Sequence, residues 1–277
     1  MTAPVRVRIA SVILLLLVAA CVAGPWFVER DPTTIGDVLA QRFAAPLALD
    51  GTGAWHLFGT DAFGRDVLAR LLLAGRLSLL VGVAGALLSG VVGTLLGALA
   101  GWSAGIVDRT ITAASDTLQA IPRLVLLLAC AALWQPGIPT LVTVLALTGW
   151  MGVARLVRAE VQGLVERDFV AAGRVLGATP GRLLAGHVIP NAIAPALVAT
   201  TLGIGNAIML ESGLSFLGLG VQPPAPSWGN MIAAGREHLV SAPWIALAPG
   251  LAVVITVTAA TLIGDWLQER MAGRAQG

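Results

Sequence analysis

Three charged residues stand inside long apolar stretches of the sequence, and they are the first candidates for chemistry. Asp116 and Arg123 are seven residues apart, so on a helix they would share a face, and Glu211 lies near the end of another stretch. Charges at membrane depth usually face the interior of a helix bundle, where they line a path or pair with a neighbour. The sequence leaves both roles open for Asp116 and Arg123. For Glu211 it favours an internal hydrogen bond or ion pair over contact with a solute's amino group.

The sequence contains no recognisable catalytic pattern. His56, His187 and His238 are scattered, and none belongs to the His-Glu-x-x-His pattern of zinc proteases. No Gly-x-Ser-x-Gly nucleophile pattern occurs, and the absence of lysine excludes a lysine-bearing phosphate loop. Cys21 and Cys130 lie in apolar runs and are interpreted as small core residues. We therefore predict no catalytic residue, no metal site and no cofactor bound by this chain.

The composition indicates an integral membrane protein. Of 277 residues, 57% are hydrophobic and 12% are charged. A soluble domain has about twice that charged fraction, which a water-facing surface requires. Membrane lipid is therefore an expected partner. The net charge of +2 gives no indication of nucleic-acid binding.

Six stretches are long enough to cross a bilayer, which takes about 20 apolar residues per helix. We expect an all-α, polytopic membrane protein with about six transmembrane helices. The predicted spans are 9–28, 77–102, 111–134, 138–153, 192–219 and 244–267.

These spans divide the chain into four parts. An N-terminal transmembrane anchor covers 1–30, and an outer loop with a short helix covers 31–76. The membrane domain covers 77–267 and includes a loop at 155–190, and a tail covers 268–277.

The N-terminus permits a second interpretation. Arg6 and Arg8, followed by an apolar run that ends at Cys21, imitate a lipoprotein signal. The run continues to Phe27, which gives it the length of a spanning helix, so a retained anchor is favoured.

The arginines indicate the orientation. An even number of spans places both termini on one side of the membrane. If that side is the cytoplasm, ten arginines are cytoplasmic and six are outside, in agreement with the positive-inside rule. We expect both termini in the cytoplasm.

A stripe of small residues marks the second span. Gly93, Gly97 and Gly101 repeat every fourth residue. Such a stripe lets helix backbones approach closely, so it predicts helix packing and not chemistry.

A charged segment, RDFVAAGRVLGATPGRLLAGHVIPN at 167–191, separates two apolar stretches on the predicted cytoplasmic side. Asp168 can cap a first helix that Gly177 ends. Thr179 can cap a second helix, and Pro190 is expected to end it. The segment is therefore predicted to fold as helix, sharp corner, helix.

The first of these helices can present an apolar patch. Phe169, Val170, Ala172 and Leu176 are its apolar members, and Arg167 and Arg174 flank it. An amphipathic helix of this kind either lies on the membrane or docks into a partner protein, and the pattern alone does not choose. Arg167 and Arg174 can correspondingly contact either lipid phosphates or an acidic protein surface.

The outer loops contain a second candidate surface. Thr60 or Asp61 can cap a helix beginning near Ala62, with charge pairs four residues apart worth about 0.2–0.5 kcal/mol each. This helix either meets another protein or seals the edge of the bundle. A second outer loop follows the fifth predicted span, and Pro223, Pro224 and Pro226 stiffen it before Trp228. The candidate docking residues are Asp61, Arg65, Asp66, Pro224 and Trp228.

The segment at 167–191 resembles the EAA loop of ABC-importer permeases. The spacing from Ala172 to Gly177 and on to Pro190 matches that loop. Ala171 stands where the motif has glutamate, and Gly173 replaces its second alanine. The substitution at Ala171 removes any ion pair that the motif glutamate would make.

Three further stretches resemble the dipeptide, oligopeptide and nickel subgroup of these permeases. They are FGTDAFGRDVLARLLLAGRLSL at 58–79, LSFLGLGVQPPAPSWGNMI at 214–232, and PWIALAPGLAVVITVTAATLIGDWL at 243–267. Their order and spread over most of the chain make the resemblance specific.

The resemblance implies the type I importer permease fold and a partner set. This chain would pair with a second permease subunit on two cytoplasmic ATPase subunits that bind ATP and magnesium. An extracytoplasmic binding protein would deliver the cargo at a bacterial inner membrane. Peptides are the expected cargo, and nickel or another small solute is the alternative. The predicted coupling residues are Phe169, Ala172, Arg174, Leu176, Gly177 and Pro190.

Two other classes of protein fit less well. A secondary transporter working alone requires coupling-ion sites and an inverted repeat, and no repeat is evident. A membrane-embedded enzyme requires one of the catalytic patterns that the sequence lacks.

Overall fold

The protein is a bundle of long helices with a small hairpin in one loop. The computed structural model describes residues 3–27, 35 and 37–274, with side chains up to Met271. In chain order the elements are α1 (Val5–Ala23), a 3-10 turn (Gly24–Trp26), α2 (Val38–Gln41), β1 (Ala48–Leu49), β2 (Trp55–His56), α3 (Val67–Ser103), α4 (Gly105–Ala120), α5 (Arg123–Ala132), α6 (Ile138–Val165), α7 (Asp168–Val175), α8 (Pro180–Leu183), a π-helical turn (Leu184–Val188), α9 (Ile189–Phe216), α10 (Trp228–Gly235), a 3-10 turn (Arg236–His238) and α11 (Trp244–Arg274). Strands β1 and β2 pair antiparallel with Ala48 opposite His56.

Among the described residues, five helices are long and apolar enough to cross a membrane, and a bent pair makes a sixth candidate. The predicted third span, 111–134, is not one helix. It divides into α4 and α5, which meet at 94°. Pro122 causes the break, because proline lacks a donor and forces the residue before it into an extended conformation. Ile121 accordingly has ψ 130°.

The long helices extend beyond the predicted spans. Helix α3 starts at Val67, ten residues before the predicted boundary at 77, and α6 runs on to Val165 where a loop from 155 was expected. The expected tail from 268 is helical up to Arg274. The apolar pattern identifies only the lipid-facing turns, while helices continue past the membrane surface with charged residues. The predicted first span ends at Val28, outside the described residues.

The glycine stripe of α3 packs as predicted. A Cβ at Gly93 or Gly101 would lie within 2.7 Å of a backbone carbonyl oxygen of α6, and Gly97 makes a similar contact. Gly82 and Gly90 instead face Ile208 and Thr200 of α9. Helix α3 therefore lies at the centre of the bundle, in close backbone contact with α6 and α9.

The bundle has two unlike ends. We call the end that bears residues 166–188 the block end, and the opposite end, with residues 37–66 and 217–243, the loop end. Apolar clusters fill the space between α3, α5, α6 and α9 toward the loop end and between α6, α7 and α9 at the block end.

Candidate functional site

A compact block, residues 167–188, projects from the block end. It is attached by three buried apolar residues that we call its root, Val170, Leu183 and Val188, which are 0%, 2% and 0% exposed. Val170 and Val188 join a cluster with residues of α6 and α9, including Val161 and Ala192. The block is therefore packed onto the two helices that it connects.

The corner of the block is a Schellman motif at Gly177. The Gly177 N–H donates to the Arg174 carbonyl and the Ala178 N–H to the Gly173 carbonyl, both at 3.0 Å. Gly177 has φ +80°, a conformation that glycine adopts without strain. The predicted helix, sharp corner, helix arrangement is present. Gly173 also has a local role, because a Cβ there would lie 2.5 Å from Leu183 of α8.

Three local predictions about this block were wrong. Asp168 is the first residue of α7 and makes no capping hydrogen bond, since the N-cap is Arg167. Thr179 occupies the N-cap position of α8 without a side-chain bond. Pro190 does not end a helix but lies in the first turn of α9, so α8, the π-helical turn and α9 form one continuous helix, Pro180–Phe216. Proline is tolerated there because the first turn has no partner for its nitrogen.

The outer side of the block is apolar and exposed. We call Phe169, Val175 and Leu176 its tip, and they are 39%, 88% and 86% exposed. Ala172 is exposed beside them. Val170, which the sequence pattern assigned to this patch, belongs to the root instead. Val175 was missed, although its position one residue before Leu176 at the corner was an available signal.

Arg174 lies over a neighbouring ring. Its guanidinium carbon is 5.7 Å from the centre of the Trp102 ring at the end of α3. This cation–π contact joins α7 to α3. The structure therefore gives Arg174 a contact within the chain, in addition to the outward role expected for it.

Two ion pairs tie α4 to α6 near the block end. Arg155 Nη2 lies 2.7 Å from Asp116 Oδ1, and Arg158 Nη2 lies 2.7 Å from Asp108 Oδ2. They border a cavity of about 270 Å³ between α3, α4 and α6. Asp116 was expected to share a face with Arg123, but the bend at Pro122 separates them and Asp116 pairs with Arg155.

Arg123 is the first residue of α5, directly after the break. Its guanidinium approaches α6, where Nη2 would lie 3.3 Å from a Cβ placed on Gly149. The side chain is exposed. An arginine at the centre of a spanning helix costs about 2.5–3.5 kcal/mol on insertion scales, so such residues face a bundle interior or water.

Glu211 is fully buried near the loop end of α9. Ser215 donates to its carboxyl at 2.7 Å, and Ser78, Ser212 and Ser227 complete a ring of hydroxyl partners. The cage joins α3, α9 and α10. This geometry agrees with the internal hydrogen bond favoured from the sequence.

The predicted helix at Ala62 is absent. Residues 60–66 form turns, and Asp61 accepts hydrogen bonds from the Phe63 and Arg65 backbone. The side chain of Asp61 pairs with Arg65 at 2.7 Å and with Arg70 at 3.5 Å. A carboxylate that binds its own following N–H groups stabilises a turn and so competes with a helix.

Helix α3 starts after these turns, and its N-cap is Asp66, which accepts from Ala69 at 2.9 Å. The same carboxyl binds His56 Nδ1 at 2.7 Å, and His56 Nε2 lies 3.2 Å from Asp50. Burial raises the pKa of the Asp50 carboxyl, but hydrogen bonds from Thr52, Ala54 and His56 outweigh it, so this pKa lies well below its usual range.

The five predicted docking residues do not share one surface. Asp61, Asp66 and Trp228 are 6%, 8% and 0% exposed. These three residues are buried and stabilise the loop end instead of presenting a surface. Pro224 is exposed and can reach a partner, whereas the Arg65 side chain is 12% exposed and paired with Asp61.

Trp228 fills the centre of the loop end. Its Nε1 donates to the Leu71 carbonyl at 3.1 Å, and its backbone N–H donates to the Ser78 hydroxyl at 3.2 Å. Ser227 and Asn230 cap α10 reciprocally in a capping box. The loop end is therefore held by buried polar bonds. Within the described residues no group of three His, Cys, Asp or Glu side chains could hold a metal ion.

Comparisons with known proteins agree with this architecture. The chain is 39% identical over 259 residues to the di/tripeptide transport system permease protein DppC of Pseudomonas aeruginosa, covering 93% of this chain and 84% of the relative. A protein of Brucella suis biovar 1 is 38% identical over 262 residues, covering 95% and 86%, and also carries a peptide-permease name.

A solved structure shares the fold. A chain of the MetNI methionine ABC transporter in inward-facing conformations matches with a TM-score of 0.58 and 18% identity, covering 70% of this chain and 93% of that chain. Residues 93–276 match the family model described as binding-protein-dependent transport system inner membrane component. The chain thus belongs to this family of membrane transport components and has the fold of an ABC importer permease.

Proposed function

We propose that this chain is the transmembrane permease subunit of an ATP-driven importer of peptides. It performs no catalysis and binds no cofactor. Two cytoplasmic ATPase subunits bind ATP and magnesium, and a second permease subunit completes the membrane path. The names of the relatives, which describe di/tripeptide and peptide transport, support the choice of peptides. Nickel or another small solute carried by the same machine is the alternative cargo.

One observation supports the coupling role above all others: the block has a buried root and an exposed apolar tip. Two exposed apolar side chains, Val175 and Leu176, stand at the end of a short helix and have no cover within the described chain. Burial of such residues in a partner stabilises a complex by about 25 cal/mol per Å² of apolar surface. We therefore place the ATPase contact at Phe169, Ala172, Val175, Leu176 and the corner glycine, with Arg174 and Pro190 positioning them.

The proposed orientation of the chain in the membrane follows from the coupling role. A block that meets cytoplasmic ATPases places the block end in the cytoplasm of a bacterial inner membrane. Both chain termini then lie in the cytoplasm, and the loop end faces the binding protein. Pro224 is the exposed residue of the predicted dock at this end.

The translocation path is proposed to pass the exposed face of α4 and α5. Asp116 and Arg123 are exposed on these helices, whereas Glu211 is enclosed. We therefore assign Asp116 and Arg123 to the translocation path. Glu211 supports the path by holding three helices together.

The test is co-purification of the tagged chain from its native membrane. We expect wild type to bring down two ATPases and a second permease. Leu176→Arg should lose the ATPases and keep the second permease, because a charge replaces the apolar tip. The matched control is Leu133→Arg, a change of the same residue type at the loop end, where Leu133 is 78% exposed. Loss of the ATPases from both variants, or from neither, would contradict the coupling role.

A further inference from the structure

Arg123 is isolated among the charged residues of the bundle. The long helices carry no charged residue over 9–26, 77–103, 138–154, 189–210 and 244–264. The charges nearest along the chain, on α4, include Asp116, which pairs with Arg155. Within the part of the chain that the structure describes, α5 thus contributes a single cation to an otherwise uncharged middle region.

The depth of Arg123 follows from its neighbours. Leu118, before the break, packs in a cluster around Trp150. Leu127, after the break, packs in a cluster that contains Leu145. Arg123 therefore lies level with the part of α6 between Leu145 and Trp150. This level is midway between the loop end and the first charges of the block end.

The guanidinium is available for a ligand. Arg123 is exposed, and it makes no hydrogen bond or ion pair with another described residue. The nearby hydroxyl of Ser89 donates to the Leu145 carbonyl at 3.0 Å and does not use the arginine. Since an unpaired arginine is costly against lipid, this side chain faces either water or a carboxylate from outside the chain.

We propose that Arg123 binds the C-terminal carboxylate of the transported peptide at the middle of the membrane. This inference rests on the proposed function, since it takes peptides as the cargo. A guanidinium binds a carboxylate through two parallel N–H donors, which gives both energy and orientation. Asp116 does not compete for the site, because Arg155 neutralises it, and Glu211 is enclosed by serines.

The test uses the complete transporter reconstituted in lipid vesicles with its peptide-loaded binding protein. The quantity measured is the number of peptides imported per ATP hydrolysed. The variants are Arg123→Gln, Arg123→Lys and the control Arg8→Gln, which removes an exposed arginine of α1 outside the middle region. Co-purification of all subunits is measured for each variant.

For Arg123→Gln we expect peptides per ATP to fall about tenfold, the effect of losing one charge-assisted hydrogen bond. ATP hydrolysis should stay near wild type, because the block is unchanged. Arg123→Lys should recover most of the import, since it keeps the charge, and Arg8→Gln should resemble wild type.

A second arm tests the carboxylate itself. The peptide is replaced by its C-terminal amide at a concentration that saturates the binding protein. Wild type should then import about as few peptides per ATP as Arg123→Gln does with the free acid. Equal coupling for acid and amide in wild type would overturn the assignment.

Three more outcomes would each overturn the assignment of Arg123 to the peptide carboxylate. If Arg123→Gln loses the second permease on purification, the carboxylate belongs to that subunit and the proposal is wrong. If import and ATP hydrolysis fall together, Arg123 acts on the conformational cycle and the proposal is also wrong. If wild type imports no peptide while its complex assembles, the proposed cargo fails and takes this inference with it.

Discussion

Buried polar side chains hold the loop end together, whereas an apolar root holds the block. At the loop end, His56 lies between two carboxyls, and Trp228 donates both of its N–H groups to α3. At the block, Val170 and Val188 are buried among apolar neighbours, while Val175 and Leu176 remain exposed.

These two kinds of contact allow different motions at the two ends. Directional hydrogen bonds fix one arrangement, because a small shift breaks them and leaves buried groups unpaired. Apolar contacts tolerate small sliding at lower cost, since the attraction is not directional. We therefore expect the loop end to behave as a rigid surface and the block to move as a unit against the ends of α6 and α9.

The largest effect on stability is expected at the centre of the loop end. Trp228→Ala removes a fully buried side chain and should lower the free energy of unfolding by about 3–5 kcal/mol. Thermal unfolding of the purified chain in lipid nanodiscs measures this. The control, Trp134→Ala, changes a ring that is 47% exposed and should cost much less. Equal losses would show that Trp228 does not hold the loop end.

A second pair compares root and tip with the same substitution. Val170→Ser should lower the free energy of unfolding by about 2–3 kcal/mol, because it removes a buried apolar side chain. Val175→Ser should change it by less than about 0.5 kcal/mol, as at other exposed positions, yet weaken ATPase binding. Thermal unfolding of the chain measures its stability, and pull-down of the ATPases measures their binding to it. The distinction between root and tip fails if Val175→Ser destabilises the chain more than Val170→Ser.

The corner of the block should be sensitive to side-chain shape. Gly177→Val places a β-branched residue at φ +80° and should cost about 1–2 kcal/mol. The control is Gly181→Val in the same block, where φ is not positive and a Cβ meets no atom within 4 Å. Thermal unfolding should show a lower stability for Gly177→Val than for Gly181→Val. If they are equally stable, the Schellman motif is not what sets the corner.

The smallest effect is expected from pH at the loop end. The pKa of Asp50 lies below its usual range, so its stabilising contribution is complete above the unfolded value of about 3.9 and falls as pH drops toward the folded value. The free energy of unfolding of wild type should therefore exceed that of Asp50→Asn at neutral pH, and the difference should shrink below about pH 4. Thermal unfolding across this range tests the sign. A margin that grows with acidity would contradict it.

The sequence predicted the helical membrane architecture because long apolar runs and the glycine stripe are local signals. It also predicted the helix, corner, helix shape of the block, since Gly177 determines the corner locally. It did not predict that the third span is broken, although Pro122 was the available signal. The turn around Asp61 was missed because charge pairs four residues apart indicated a helix, whereas the Asp61 side chain binds its own following backbone.

The distribution of residues between interior and surface was the least predictable part. Val170 and Val175 are both apolar residues of the block, yet one is the root and the other the tip. The orientation of α7 depends on how it packs against α6 and α9, which the sequence of the block alone does not contain. The same holds for Asp116, whose partner Arg155 lies 39 residues away.

The continuous helix Pro180–Phe216 connects the two ends that differ so clearly. Its 37 residues span about 55 Å, more than the thickness of the hydrocarbon core. Its first turns belong to the block, and its last turns hold Glu211 in the serine cage. A tilt of this helix by about 5° about its midpoint would displace each end by about 2.4 Å, given that length. Under the proposed coupling role, a displacement that begins at the block is carried along this one continuous helix to the loop end.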